Sequence, residues 1–191
     1  HETWTADPRA ICGLPPKNNA DMAWIQHMVA SMKPGTGRVG VVMPHGALFR
    51  GGAEGAIREC LIGKDLLEAV IGLPPNLFYS TSIPACILVI DKDNASARRG
   101  IFMIDASQGF LKDGNKNRLR SQDIHQIVDV FTKQGEVARY SRMVTLAEIA
   151  GNGYNLNIPR YIDASEPEDI HDLDAHLQGG IPQRDLDLLE H

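Results

Sequence analysis

Leu66-Leu67-Glu68-Ala69-Val70-Ile71-Gly72-Leu73-Pro74-Pro75-Asn76-Leu77-Phe78-Tyr79-Ser80-Thr81-Ser82-Ile83-Pro84-Ala85-Cys86-Ile87-Leu88-Val89-Ile90-Asp91 is the stretch whose reading decides the fold. Its two apolar runs, Leu67 to Leu73 and Ala85 to Ile90, are short, rich in β-branched residues and bounded by Gly and Pro. Strands buried on both faces have this composition. The connection between them, Pro74 to Pro84, is eleven residues long and carries Asn76, Phe78, Tyr79, Ser80, Thr81 and Ser82. A minimal hairpin needs two to five residues and none of that chemistry, so this loop is the first candidate for contact with a ligand.

Upstream, Pro8, Gly13, Pro15 and Pro16 mark residues 1–18 as an extended lead-in. Asn18 or Asn19 can cap a helix in which Ile25, Met28, Val29 and Met32 recur at helical spacing, widened by Met22 and Trp24, until Pro34 and Gly35 end it. Arg38 to Met43 is a short buried strand, and Ala53 to Ile62 a second helix with Ala53, Ile57 and Leu61 on one face. Helices alternating with buried strands predict an α/β sheet covered on both faces.

Downstream, Ile101 to Asp105 reads as a strand at the sheet edge, and Lys112 to Arg120 as a polar loop. Ser121 caps a third helix with Ile124, Ile127, Val128 and Phe131 as its apolar stripe, and a short helix is expected over Val144 to Ala150. The expected division is thus a lead-in at 1–18, an α/β domain at 19–162, an acidic tail at 163–188 with a short helix to Leu177, and a tag remnant at 189–191.

The net charge of −5 is unevenly spread: from Asp163 onward nine acids face one base, a local −8, which leaves +3 for residues 1–162. A mildly basic body is compatible with nucleic-acid contact. No run of about 18 apolar residues occurs and the first residues lack a signal-peptide core, so a soluble, cytoplasmic protein with no membrane partner is expected. Cys12, Cys60 and Cys86 are odd in number and irregular in spacing, which favours buried free thiols over a disulfide framework or a zinc site.

Several motifs carry less than their letters suggest. Gly35-Thr36-Gly37-Arg38-Val39-Gly40 matches the dinucleotide fingerprint but follows a helix and opens a strand, the reverse of the order that points amides at a pyrophosphate. The histidines are scattered, and His171 and His176 lack helical metal-pair spacing. His45 directly follows a strand, a place where α/β proteins hold ligands. Lys112, Lys116, Arg118 and Arg120, interleaved with Asn115 and Asn117, suit either a solvated loop or contact with phosphate oxygens. Phe78 and Tyr79 can fold back as core, or leave one ring free to stack on a planar ligand; spacing alone does not separate these.

Longer strings add a family resemblance. Asn19-Ala-Asp21-Met-Ala-Trp24-Ile-Gln26-His27, Phe49-Arg50-Gly-Gly-Ala-Glu54-Gly-Ala-Ile-Arg58, Ile71-Gly-Leu-Pro-Pro-Asn-Leu-Phe78-Tyr-Ser-Thr81-Ser-Ile83, Tyr154-Asn155-Leu-Asn157 and Ala175-His-Leu-Gln-Gly-Gly-Ile-Pro182-Gln-Arg-Asp185 resemble the modification (M) subunit of type I restriction and modification systems. That family methylates the N6 amino group of adenine in DNA, using S-adenosylmethionine.

The resemblance implies the last three strands of a Rossmann-like methyltransferase sheet, plus an extra edge strand, flanking helices and the acidic tail. Arg38 to Met43 would be the fifth strand, Leu67 to Leu73 the sixth, and Ala85 to Ile90 an antiparallel seventh inserted between them. Phe78 falls where the family stacks an aromatic on the flipped adenine, and Asn76, Tyr79 and Thr81 are candidates for the walls of the base pocket. Arg50, Lys112, Lys116, Arg118 and Arg120 are candidates for the DNA backbone.

The resemblance also implies double-stranded DNA, a specificity subunit and a restriction subunit as partners. The family's cofactor glycine motif and its Asn/Asp-Pro-Pro-Phe/Tyr motif are absent. Leu14-Pro15-Pro16-Lys17 and Leu73-Pro74-Pro75-Asn76 cannot replace the latter, because leucine offers no side-chain acceptor. The expectation is the C-terminal half of a methylase, inactive and without bound cofactor by itself, with Val39 to Met43 as an exposed edge open to self-association. A non-catalytic interaction module on an α/β scaffold is the alternative.

Overall fold

The computed structural model of the chain describes residues 6–93 and 95–164. In chain order the elements are α1 (Asp21–Ser31), β1 (Arg38–Pro44), α2 (Gly52–Gly63), β2 (Leu67–Gly72), β3 (Ala85–Asp91), β4 (Gly100–Asp105), β5 (Leu111–Asp113), β6 (Lys116–Arg118), α3 (Ser121–Lys133), β7 (Ser141–Thr145) and α4 (Leu146–Gly151). Short 3-10 turns at His45–Leu48 and Ile158–Arg160 join them. The acidic tail beyond Ala164, its short helix and the closing residues 189–191 lie outside the described residues.

Five strands form one sheet in the order β1-β3-β2-β4-β7. As expected, β3 is inserted between β1 and β2 and runs antiparallel to both, with Val42 opposite Ile87 and Ile71 opposite Ile87 across the two ladders. An antiparallel neighbour needs no crossover helix, which is why the connection from β2 to β3 is free to be a loop. Strand β4 then pairs parallel to β2.

Side-chain alternation divides the core between the two faces of the sheet. Leu67 and Val70 of β2, Cys86, Leu88 and Ile90 of β3, and Ile101 and Met103 of β4 pack with α1 and α2. Ala69 and Ile71, Ala85 and Val89, and Phe102 and Ile104 pack on the other face with Ile127 of α3. Period-2 alternation with both faces apolar produces the near-continuous hydrophobic runs seen in the sequence.

Four expectations are corrected. Strand β4 is interior with all six residues buried; β7 pairs on its far side and takes the edge. Val144 belongs to β7, and the helix over this stretch begins at Leu146 with the Thr145 hydroxyl accepting from the Glu148 amide at 3.2 Å. Lys112 to Arg120 contains a two-stranded hairpin, β5 with β6. Cys12 and Cys60 form a disulfide, because the lead-in folds back onto α2 and brings their Cα atoms to 5.6 Å, within bridging range. Cys86 is the buried free thiol expected, and burial pushes it up to about 12.

The helix starts also differ in detail. Asn19 Oδ1 accepts from the Asp21 amide at 2.9 Å, although Ala20 is the cap position of α1. At α3 the cap position is Arg120, whose amide donates to the Asp123 carboxylate at 2.8 Å, and Ser121 is the first helical residue. Of its apolar stripe, Ile127 is buried while Ile124 and Val128 are half exposed. Trp24 also faces outward, at 59% exposure. Among the described residues β1 has β3 as its one strand neighbour, and its Val42 is 51% exposed.

Candidate functional site

The loop between β2 and β3 sits at the carboxyl end of β1, β2 and β4, the end where open α/β sheets place ligands. Its base is closed by the Leu73 amide donating to Ala85 O at 2.9 Å and the His45 amide donating to Pro84 O at 3.2 Å. Asn76 and Ser80 take left-handed backbone conformations, with φ of 57° and 62°. Asn tolerates that region through its short polar side chain, whereas Ser there marks a turn that the surroundings must hold. Thr81 Oγ1 accepts from the Ile83 amide at 3.1 Å and so shapes the return to β3.

Of the four loop residues singled out in the sequence, Phe78 and Thr81 line one groove, Tyr79 stands exposed, and Asn76 is half-buried outside that groove. The Phe78 ring is 45% exposed and Tyr79 is 89% exposed. Phe78, Val42, Met43, Thr81, Ile83 and Pro84 line an open groove of about 250 Å³ between the loop and the free edge of β1. An apolar wall with an accessible aromatic face is the chemistry that accepts a planar ring by stacking.

The basic candidates divide. Lys116 Nζ donates to Phe78 O at 2.6 Å and to Thr81 O at 3.1 Å. Beside it, the Asn117 amide donates to Asn76 O at 3.0 Å and Asn117 Nδ2 to Pro75 O at 2.7 Å. Arg118 faces Asp113 at 3.5 Å on the exposed hairpin. Arg120 grips Asp123 through Nε and Nη2, both at 2.9 Å, and Lys112 is exposed.

Arg50 is engaged internally. Its Nη1 donates to Asp21 Oδ2 at 2.8 Å and to Glu54 Oε1 at 3.1 Å, bonds that raise its pKa, Asp21 foremost. The guanidinium also covers Gly46, where a Cβ would lie 2.5 Å from it. Two carboxylates thus offset the charge that a phosphate contact would use.

The role of the hairpin residues was missed in the sequence. Asp113-Gly114 followed by Asn115 is a turn signal for a two-residue hairpin, and Gly114 has φ of 62° there. What the hairpin touches could not be read from that signal.

His45 follows β1 directly, and its Nε2 is buried with no hydrogen-bond partner among the described residues. Burial lowers its pKa, while the Asp105 carboxylate at the end of β4 pulls the other way. Nearby, burial pushes the Tyr140 hydroxyl up to about 12, with Asp123 and Asp105 adding to the shift. The folded protein therefore binds a proton at His45 less readily than the unfolded chain, whose value is 6.5. That contribution to stability is complete above the unfolded value and declines as pH falls below it. Replacing His45 by Phe should flatten the fall in the urea midpoint between about pH 7 and pH 5; an unchanged slope would assign it to other groups.

At the opposite end of the sheet an open cavity of about 450 Å³ is lined by Arg38, Glu68, Asp91 and Arg98. Arg38 is matched by Glu68 at 2.6 Å and Asp91 at 3.1 Å, so the charges there are internally balanced. The glycine run at 35–40 serves the turn between α1 and β1. The Gly37 amide donates to Lys33 O at 2.9 Å and Gly37 O accepts from the Lys92 amide at 2.9 Å, which closes the turn from α1 into β1.

The described sheet matches that of a solved methyltransferase subunit of a type I restriction-modification system from Streptococcus thermophilus, with a TM-score of 0.80 at 36% identity over 86% of this chain and 35% of that one. It is the mixed α/β architecture of a methyltransferase subunit. Over residues 1–170 the sequence matches the family N-6 DNA Methylase, and the chain belongs to that family.

Among curated relatives, the methylase subunit of the type I restriction enzyme MjaVII from Methanocaldococcus jannaschii is 40% identical over 170 residues, 87% of this chain and 29% of the relative. The HindI methylase subunit from Haemophilus influenzae is 35% identical over 177 residues, 88% of this chain and 40% of the relative. The chain thus spans well under half the length of these relatives.

Proposed function

We propose that this chain is the carboxyl-terminal half of the methylase domain in an adenine-N6 DNA methyltransferase subunit of a type I restriction-modification system. In the intact subunit an adenine swung out of double-stranded DNA stacks on Phe78, with Asn76, Tyr79 and Thr81 around it. The observation that carries this reading is the half-exposed Phe78 ring over an apolar groove at the carboxyl end of the sheet. Extruding a base costs a few kcal/mol, and stacking returns about 1 to 3 kcal/mol per base, so one aromatic at this position offsets much of the penalty.

S-adenosylmethionine supplies the methyl group in the intact subunit. The residues present here do not fit it: the only glycine run with a cofactor-like spacing is occupied in the turn between α1 and β1. Leu73, which offers no side-chain acceptor, precedes Pro74-Pro75 at the loop, and the Pro75 carbonyl already accepts from Asn117 Nδ2 at 2.7 Å. The work of this half is to receive the base.

The outward pair Ile124 and Val128 on α3 favours a docking role alongside this one. A specificity subunit and a restriction subunit are the partners proposed, in the cytoplasm. No helix among the described residues is long and apolar enough to cross a membrane.

Titration calorimetry tests the division of labour. The 191-residue chain should give no heat of binding with S-adenosylmethionine at micromolar concentrations, whereas the intact subunit should. Stoichiometric micromolar binding by the short chain would refute the assignment.

A further inference from the structure

The loop that carries Phe78 is poorly supported from within. Two of its residues, Asn76 and Ser80, hold left-handed conformations, and Tyr79 at its tip is 89% exposed. From within the loop, the described side-chain bond is the one the Ile83 amide donates to Thr81 Oγ1. Among the described residues, the hydrogen bonds that reach 75–82 from outside the loop come from Lys116 and Asn117 alone.

Those four bonds are placed systematically. The Lys116 ammonium holds the carbonyls of Phe78 and Thr81, the two ends of the turn that contains Tyr79 and Ser80. Asn117 holds the carbonyls of Pro75 and Asn76 at the entry to the loop, one with its side chain and one with its main chain. Both residues start β6, whose register is fixed against β5 by the pairs Asp113 with Lys116 and Lys112 with Asn117.

We propose that Lys116 and Asn117 are positioning residues for base capture: the β5–β6 hairpin braces the loop so that the Phe78 ring is held ready for the extruded adenine. This rests on the stacking role of Phe78 given above. It moves Lys116 from a phosphate contact to a contact with the loop. An ammonium carries three donors on one atom and holds both carbonyls through charge-assisted bonds, which are stronger than those of a neutral donor. Pre-ordering the loop spares the cost of ordering it when the base arrives.

The test uses the intact subunit assembled with its complex, in five forms: wild type, K116M, N117A, F78A and the double variant K116M with F78A, with K116R as the conservative control. Three quantities are read: kcat/KM for DNA methylation, the fluorescence of 2-aminopurine at the target position, and hydrogen exchange of residues 76–82. Loss of two charge-assisted hydrogen bonds predicts about a tenfold drop in kcat/KM for K116M, with the KM for S-adenosylmethionine unchanged. The 2-aminopurine signal should fall, exchange in the loop should quicken, and K116R should recover most of the loss. Combined with F78A, K116M should cost little more.

Wild-type turnover and fluorescence in both K116M and N117A would overturn the proposal, even if loop exchange quickens. So would equal losses in K116M and K116R accompanied by a lowered melting temperature, the mark of a merely structural residue. If F78A is silent while K116M and N117A lose base capture, the brace stands and the stacking role of Phe78 falls.

Discussion

Replacing Phe78 by Ala in the intact subunit should lower kcat/KM for DNA methylation by roughly ten- to a hundredfold, the equivalent of the stacking free energy removed. The ring makes little contribution to the core, being 45% exposed on a loop. Its removal should therefore leave the unfolding midpoint within the narrow range of ordinary surface substitutions. The cofactor's affinity should also be unchanged, because Phe78 faces the groove with Val42 and Ile83. Phe78→Trp should keep most of the activity, since it preserves a face for stacking. Activity unchanged in Phe78→Ala would remove the base-contacting role.

The second large effect concerns stability. Arg58 on α2 is 5% exposed, and its guanidinium is held by three carbonyls: Tyr154 O at 2.7 Å from Nε, and Arg50 O at 2.9 Å and Ala47 O at 3.3 Å from Nη1. One side chain thereby joins α2, the turn after β1 and the segment after α4. Burial lowers its pKa while Glu54 opposes the shift, and an arginine remains charged throughout the accessible range. Arg58→Ala leaves the three carbonyls without this donor and withdraws a positive charge from buried Glu54. A loss of about 2 to 4 kcal/mol follows, because buried acceptors stripped of a charged donor cost about 1 to 3 kcal/mol each and in part find other partners. Arg58→Lys should recover only part of it, because an ammonium cannot span the three acceptors as the planar fork does. Urea unfolding of the intact subunit measures both; a change below about 1 kcal/mol in Arg58→Ala would show that water satisfies those carbonyls.

Much of the sheet was legible because the sequence repeats the physics of its strands. Leu67 to Leu73 and Ala85 to Ile90 are apolar on both faces, and the structure buries both faces of β2 and β3. The insertion of β3 between β1 and β2 followed from the helix-free connection together with the family resemblance. The misplaced edge at β4 has a simple cause. Ile101-Phe102-Met103-Ile104 lacks alternation because α3 covers one face and the α1 and α2 core the other, so the missing alternation marks an interior strand.

The site was legible only where a residue acts by its own type. Aromatics among hydroxyls pointed to Phe78 and Tyr79 alike, the family resemblance singled out Phe78, and both rings are exposed. Lys116 and Asn117 look like phosphate donors in the sequence, while their acceptors are carbonyls 35 to 42 residues away along the chain. Cys12 and Cys60 were hidden in the same way, by a separation of 48 residues. The internal partners of Arg50 were not legible either, since its carboxylates lie 29 residues before it and one helical turn after it. Contacts at long sequence separation depend on the assembled fold, and no local pattern encodes them.

The central claim is that the target base lies against Phe78. It is tested most directly by photochemical cross-linking of the intact complex to DNA carrying 5-iodouracil in place of the target adenine. The base should be joined to the peptide that contains Phe78, with the yield lost in Phe78→Ala. Cross-links confined to residues outside 74–84, with that peptide unmodified, would contradict it.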